Sequence, residues 1–471
     1  MEILMVVLFL IGYTCIAMEH KIGVNKAAPA LLLCALLWTC YIIDAPNILP
    51  SQEQFQAFLN GLMQTSDTHS QVVSYVTQVQ IIEHLGDVAS TLFFLMGAMT
   101  IVELIDAHSG FAVITDRITT RSKRKLLWML SVLTFIMSAV LDNLTTTIVM
   151  VMLLRKLIAN AHERWLYACI IVIAANAGGA FSPIGDVTTI MLWVRGNISS
   201  SGVIPNLLLP SAVALLVPLL IAQRFLKGEL TAADMPAHED VKEAETSTHV
   251  TPAISKQILI LGVGALVFVP IFKSITHLPP FVGILLGLGV LWVYTERLHR
   301  KYSVSDSSRT TITNVLSRID FSTILFFLGI LMAVAALQCA GLLGKLAMVL
   351  DEQVGNIYVI NIIIGVLSSI VDNVPLVAGA MGMYEMAVPD ALDAVSPYVC
   401  DGTFWLFLAY CAGVGGSILI IGSAAGVVVM GLEKVNFVWY LKYITLLALS
   451  GYLAGAGVFI LQEEVILPLL R

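Results

Sequence analysis

Between Lys26 and Arg117, and again between Lys345 and Lys434, the chain contains no lysine and no arginine. Charge of either sign is scarce throughout. Asp, Glu, Lys and Arg make up 12% of the 471 residues, where an ordinary soluble domain has roughly a quarter. So few charges cannot cover a water-facing surface. Apolar stretches such as Val203–Ala222 and Ile258–Phe272 recur from end to end, several near the ~20 residues that cross a bilayer. The expected class is an all-α polytopic membrane protein. Other features are missing too. The seven cysteines are scattered and form no C-x-x-C pair, which removes a disulfide framework and a zinc site. There is no Walker motif, so nucleotide hydrolysis does not drive the chain directly. A net charge of −7 leaves no footprint for nucleic acid. The first apolar segment, Ile3–Met18, lacks a basic n-region and a small-residue cleavage site, its nearby lysines, Lys21 and Lys26, coming after it, and reads as a retained span.

What charge there is orients the helices. Lysine and arginine cluster at Arg117–Lys125, Arg155–Arg164 and Arg297–Arg318, and cytoplasmic loops hold the excess of both. Lys21 and Lys26 then lie inside, the N-terminus outside, and the base-free segment Asp44–Glu83 outside. The segment from Leu126 to Ile158 is basic at both ends, and as one helix would run roughly 50 Å, too long for a single crossing. Starting and finishing on one side, it fits a re-entrant hairpin (126–158) of two arms of about 15 residues, with Asp142 and Asn143 at the tip. Such backbone is tolerated only beside protein or a water-filled cavity. A carboxylate at that depth costs at least ~2.5–3.5 kcal/mol, which makes it a functional candidate.

The sequence then repeats itself. STLFFLMGAM (90–99), LDNLTTT (141–147) and NAGGAFSPIGDVTT (176–189) are followed, in the same order and at nearly constant offset, by STILFFLGILM (322–332), VDNVPLV (371–377) and GVGGSILIIGSAAG (413–426). Three ordered matches indicate an internal duplication. The second hairpin (355–388) is flanked by acids without bases, so its mouth faces outside. About five spans per half, an odd number, inverts the second copy. The expected architecture is therefore two inverted-topology repeats, each with one re-entrant hairpin and one broken helix, the plan of secondary transporters. The first repeat covers 1–226 with its broken helix at 165–195. The second covers 257–471 with its broken helix at 404–432, and a cytoplasmic hydrophilic linker, 227–256, joins them.

Gly and Pro interrupt the helix after each hairpin. In the first, Asn176 leads through Ser182, Pro183 and Gly185 to Asp186, Thr188 and Thr189; the second offers Gly415, Gly416, Ser417 and Ser423 but no acid. Unwound carbonyls and half-helix ends suit a small cation, and carboxylates with hydroxyls complete an oxygen shell. Asp142 is the only charged residue between Lys125 and Arg155, Asp186 between Arg164 and Arg195, and Asp372 between Glu352 and Glu385. Asn143, Thr145, Thr146, Asn176, Thr188, Thr189, Ser368 and Asn373 are their companions. Thr145, Thr146 and Ser368 read equally well as hydroxyls bonded back to their own helix. Glu103 reads either as a gate or proton relay or as an interfacial group. Burial raises a carboxylate's pKa, so one site can take Na⁺ when ionised and a proton otherwise. Competition at Asp142, Asp186 and Asp372, reached alternately from each side, suffices for exchange.

At LDN-TTT, NAGG-x-x-SPIGDVTT, VDN and the GGS stretch, the chain resembles the NhaD-type sodium/proton antiporters of the ion transporter superfamily, over essentially its whole length to Leu461. The resemblance implies exchange of cytoplasmic Na⁺ or Li⁺ for external H⁺ in a bacterial inner membrane or an organelle. It also implicates Asp142, Asn143, Asn176, Asp186, Thr188, Thr189, Ser368, Asp372 and Asn373. The expected partners are Na⁺, Li⁺, H⁺ and the bilayer; no cofactor is expected, and a homodimer is admissible. Two rivals remain. A Na⁺-coupled symporter of an organic anion or oxyanion shares the plan, but the acids would repel an anion and no arginine lies in the motifs. An intramembrane aspartyl protease would use two membrane aspartates, but its Gly-x-Gly-Asp pattern is absent.

Overall fold

Helix satisfies every backbone polar group within its own segment, which lipid demands of a spanning chain. The computed structural model describes residues 1–61, 68–115, 118, 120–226, 228–230, 252–302, 312–370, 373–387 and 396–466, and these are helical apart from turns and one isolated bridge, Ser122 with Glu229. In chain order the main helices are α1 (Glu2–Ala17), α2 (Ala27–Ile48), α3 (Ile81–Ala107), α4 (Lys123–Leu141), α5 (Asn143–Leu157), α6 (Ala161–Ala180), α7 (Val187–Arg195), α8 (Ser200–Ala222) and α9 (Pro252–Thr276). They continue with α10 (Pro280–Tyr302), α11 (Phe321–Cys339), α12 (Leu342–Gln353), α13 (Ile357–Ser368), α14 (Asn373–Met383), α15 (Thr403–Gly415), α16 (Ala424–Glu433), α17 (Phe437–Tyr443) and α18 (Thr445–Leu461). Among the described residues, eight helices are long and apolar enough to cross a membrane. Large apolar side chains such as Leu32, Ile43, Ile275 and Leu446 are exposed, as lipid-facing positions are. The protein is an all-α polytopic membrane protein.

The helix α4 is one of these eight, and with α5 it forms a helical hairpin. It starts beside the start of α6, where Lys123 pairs with Glu163 at 2.9 Å and Tyr167 bonds the Lys123 carbonyl. Near its other end Ser138 donates to the Ala175 carbonyl, further along α6. The chain turns at Asp142, and α5 ends at Leu157, just before α6 begins. The arms are 19 and 15 residues long rather than equal. The second hairpin runs along α15 in the same way: Asn361 bonds the Phe404 carbonyl and Ser368 the Ala412 carbonyl. The tip residues Val371 and Asp372, and the hairpin's last residue, 388, lie outside the described residues. So does most of the expected linker. Its last five positions belong to α9 instead, because that helix starts at Pro252, and Pro favours a helix's first turn.

Two compact units are present, and each draws on both halves of the chain. One comprises Met1–Phe93, Asp320–Asn356 and Val377–Glu385; the other comprises Phe94–Ile319, Ile357–Leu376 and Met386–Arg471. In the first, α2 packs on α11 so closely that a Cβ on Gly329 would lie 2.7 Å from the Ala30 backbone. Trp38 donates to the Met332 carbonyl, and Tyr41 to Gln80. In the second, the first hairpin, the first arm of the second hairpin with the start of α14, and both helix breaks come together.

Candidate functional site

The tip of the first hairpin is a single residue in an unusual conformation. Asp142 has φ 88° and ψ 158°, a region that is essentially glycine's. That turn lets its side chain cap α5: one carboxylate oxygen accepts from the Thr145 amide at 2.8 Å, the other from the Thr145 hydroxyl at 2.9 Å. Thr145 is thus bonded to the acid rather than back to its helix. Ser182, in the break of the following helix, donates to the Ala139 carbonyl at 2.5 Å and ties break to tip.

Asp186 closes that break and caps α7. Its Oδ1 accepts from the Thr188 amide and hydroxyl, both at 2.9 Å, while Thr189 donates to its carbonyl at 2.8 Å. Both aspartates therefore sit at helix N-termini, where free amides and the helix dipole favour negative charge. Asp186 is 1% exposed, and further donors converge on it. Asn143 reaches Oδ2 at 2.7 Å, and Asn373 reaches Oδ1 at 3.4 Å. The other hydrogen of the Asn143 amide goes to Asn176 at 3.0 Å. Asn176 in turn donates to the hydroxyls of Ser417 and Ser423, each at 2.9 Å. One buried network thus joins the tip of the first hairpin, the start of α14 and both helix breaks.

The two breaks share a backbone and differ in side chain. Asp186 has φ −145° and ψ 147°; Ser423, which caps α16 through the Gly426 amide, has φ −143° and ψ 153°. A Cβ on Gly178 would lie 2.2 Å from the Phe135 carbonyl oxygen, and one on Gly415 2.2 Å from that of Gly365. The duplication is thus visible as matched close contacts, and its acid occurs in one copy only. Gly416 lies against Gly422, as Gly179 lies against Gly185.

Of the residues expected at the site, Asn143, Asn176, Asp186, Thr188, Asn373, Ser417 and Ser423 share this network, with Asp142 and Thr145 forming the adjoining cap. Ser368 spends its hydroxyl on the Ala412 carbonyl, outside its own helix. Asp372 lies outside the described residues. The Thr146 and Thr147 hydroxyls are buried with no hydrogen-bond partner among the described residues. Glu103 is not part of the network; it pairs with Arg318 at 3.3 Å. Sequence reasoning passed over Ser138, although the repeat aligns it with Ser368 and it makes the matching bond. Thr147 was also passed over. Glu433 had no sequence signal, since its role depends on two arginines far away in the chain. Chemically the cluster offers carboxylate, amide and hydroxyl oxygens, the donor set of a hard cation.

These features have counterparts in known proteins. A family model described as a citrate transporter, CitMHS, matches residues 13–400. "Sodium/proton antiporter 1" of Arabidopsis thaliana is 43% identical over 98% of this chain and 72% of its own length. The "Na(+)/H(+) antiporter NhaD" of Vibrio parahaemolyticus is 31% identical over 80% of this chain and 91% of its own. The crystal structure of the Alcanivorax borkumensis YdaH transporter aligns with a TM-score of 0.50 at 11% identity, over 93% of this chain and 98% of that one, a likeness of fold alone. These families are transporters, not enzymes. The chain belongs to the CitMHS transporter family and to the NhaD-type sodium/proton antiporters.

Proposed function

We propose that the chain is a secondary active antiporter that exchanges cytoplasmic Na⁺ or Li⁺ for external H⁺ by alternating access. The observation that carries this reading is Asp186, a buried carboxylate held by Asn143, Thr188 and Asn373 at a break in a helix. Its described partners are hydroxyl and amide hydrogens. A threonine hydroxyl can turn its lone pairs to an arriving ion, so Thr188 and Thr145 can change from donors to carboxylate into ligands of Na⁺. Asp142 and Asp186, with Asp372 from the second hairpin, then alternate between cation and proton. The setting that fits is a bacterial inner membrane, with the N-terminus outside and two inverted repeats.

The family model's description favours one other reading, import of a citrate-like anion with Na⁺. The network argues against it: its described hydrogen-bonding residues are acids, amides and hydroxyls, and among them no guanidinium offsets the repulsion a second carboxylate would meet at Asp186. Everted vesicles carrying a pH gradient test both. Addition of NaCl or LiCl is expected to collapse the gradient, and KCl or citrate to leave it. Collapse by citrate only in the presence of Na⁺ would replace antiport with symport.

A further inference from the structure

Glu433 ends α16, and its side chain is fully buried. Each carboxylate oxygen takes one guanidinium: Arg155 Nε donates to Oε1 at 2.7 Å and Arg164 Nε to Oε2 at 2.7 Å. The same groups also serve the backbone around them. Arg155 donates to the Leu432 carbonyl and Trp165 to the Glu433 carbonyl, so the last carbonyls of α16 are capped from other helices. Arg164 donates to the Ile158 and Ala159 carbonyls, in the turn that joins α5 to α6. Trp165 packs edge-on to Trp439 at 5.2 Å, beside the cluster.

The three elements tied here carry the site at a distance. Asn143 opens α5, whose last turn holds Arg155; Ser423 caps α16, which Glu433 ends; Asn176 lies on α6, whose first turn holds Arg164. The clasp is thus roughly 18 Å along α5 and 15 Å along α16 from those residues. Opening it would strand a carboxylate with no exposed surface and free two guanidiniums and several carbonyls at once, and breaking one side of a buried pair is strongly destabilising.

We propose that Glu433, with Arg155 and Arg164, is a positioning clasp that keeps α5, α6 and α16 one rigid body throughout the transport cycle. Asn143, Asn176 and Ser423 then hold their mutual geometry while access alternates elsewhere. This rests on the Asp186 network being the cation site.

The test uses the full-length protein in everted vesicles, with rates normalised to folded transporter. Glu433→Gln is expected to raise the KM for Na⁺ at least fivefold with the maximal rate within twofold, and Glu433→Asp to recover at least half of that loss. A fall in maximal rate at unchanged KM would overturn the proposal, because it would mark Glu433 as a moving gate. Trp165→Cys/Trp439→Cys, bridged by a short bifunctional methanethiosulfonate, links α6 to α17, the helix that follows α16; it gives up the Trp165 bond to the Glu433 carbonyl and leaves both Glu433–arginine pairs in place. Exchange within twofold of the unbridged protein is expected. Loss of exchange that a reductant restores would overturn the proposal, as would failure of the two thiols to bridge. If the wild-type protein answers to no cation, the functional reading fails, while bridging yield and the thermal stability of Glu433→Gln still report on the clasp.

Discussion

Asn143 donates to Asp186 at 2.7 Å and so joins the tip of the first hairpin to the break in the next helix. A carboxylate only accepts, so this bond sets the direction of everything beyond it. The Asn143 nitrogen faces Asp186, the Asn176 oxygen faces Asn143, and the Asn176 nitrogen faces Ser417 and Ser423. One acid in the first half thereby orders two serines in the second.

Asp186→Asn sets an amide against the Asn143 amide and cannot keep all four acceptor bonds. Leaving a buried donor unpaired costs about 1–3 kcal/mol. Sodium-dependent proton movement in vesicles is expected to fall at least a hundredfold, with a lower melting temperature in detergent. Ser423→Ala removes a cap and should cost less, about 0.5–2 kcal/mol, while raising the KM for Na⁺. Wild-type exchange by Asp186→Asn would refute the site.

At Asp142 two effects separate. Its φ of 88° strains any side chain, at about 1–3 kcal/mol, while its carboxylate caps α5. Asp142→Ala loses the cap and keeps the strain; Asp142→Gly loses the cap and relieves the strain. Asp142→Gly should therefore melt higher than Asp142→Ala, with exchange abolished in both. Equal melting temperatures would mean that the tip carries no strain.

Gly178→Ala and Gly415→Ala each push a methyl into a carbonyl oxygen 2.2 Å away. Overpacking of this kind costs about 1–3 kcal/mol or more. Both variants should lose folded yield to a similar degree. Gly264→Ala, with open space at its Cβ, is expected to behave as wild type. Size-exclusion profiles from membranes measure all three.

A carboxylate shared by proton and sodium makes the two compete. Each pH unit below the site's pKa then needs about tenfold more sodium to displace one proton. Initial rates over a grid of pH and sodium should show the KM for Na⁺ rising as pH falls, at nearly constant maximal rate. A constant KM beside a falling maximal rate would point instead to a separate sensor, with Glu103 and its partner Arg318 the first to examine.

Cys400 lies exposed just before α15. Partial burial pushes its thiol pKa up, and neighbouring Asp401 adds to this, against a smaller opposing effect from Lys273. The thiolate is therefore scarce at neutral pH. Labelling by an impermeant maleimide should be slow at pH 7 and rise about tenfold per pH unit, the rise continuing past pH 8.5, where an ordinary thiol levels off. With the topology expected from the lysine and arginine pattern, it occurs from outside, and a cysteine placed at Lys123 reacts only from inside.

The turn at Asp142 and the helix break before Asp186 have local causes. Bases at both ends of the segment 126–158, and Gly and Pro between Ser182 and Asp186, act over a few residues of chain. The recurrence of Asp-Asn and Gly-Gly marked the two copies before any packing was known, and the close contacts at Gly178 and Gly415 follow that alignment.

Which side chain meets which was not legible, because a hydrogen bond depends on distances set by many packed helices. Asn176 finds Ser417 and Ser423 only because α6 and α15 meet at their broken ends, where Ala180 touches Gly413. Arg155 and Arg164 read as loop charges by pattern, yet burial assigns both to Glu433. Sequence determined the class and marked the repeated motifs, through hydropathy and charge along the chain. Tertiary structure alone decided that Asp142 caps a helix at positive φ and that Asp186 gathers the amides, because backbone angles and partner distances belong to the packed state.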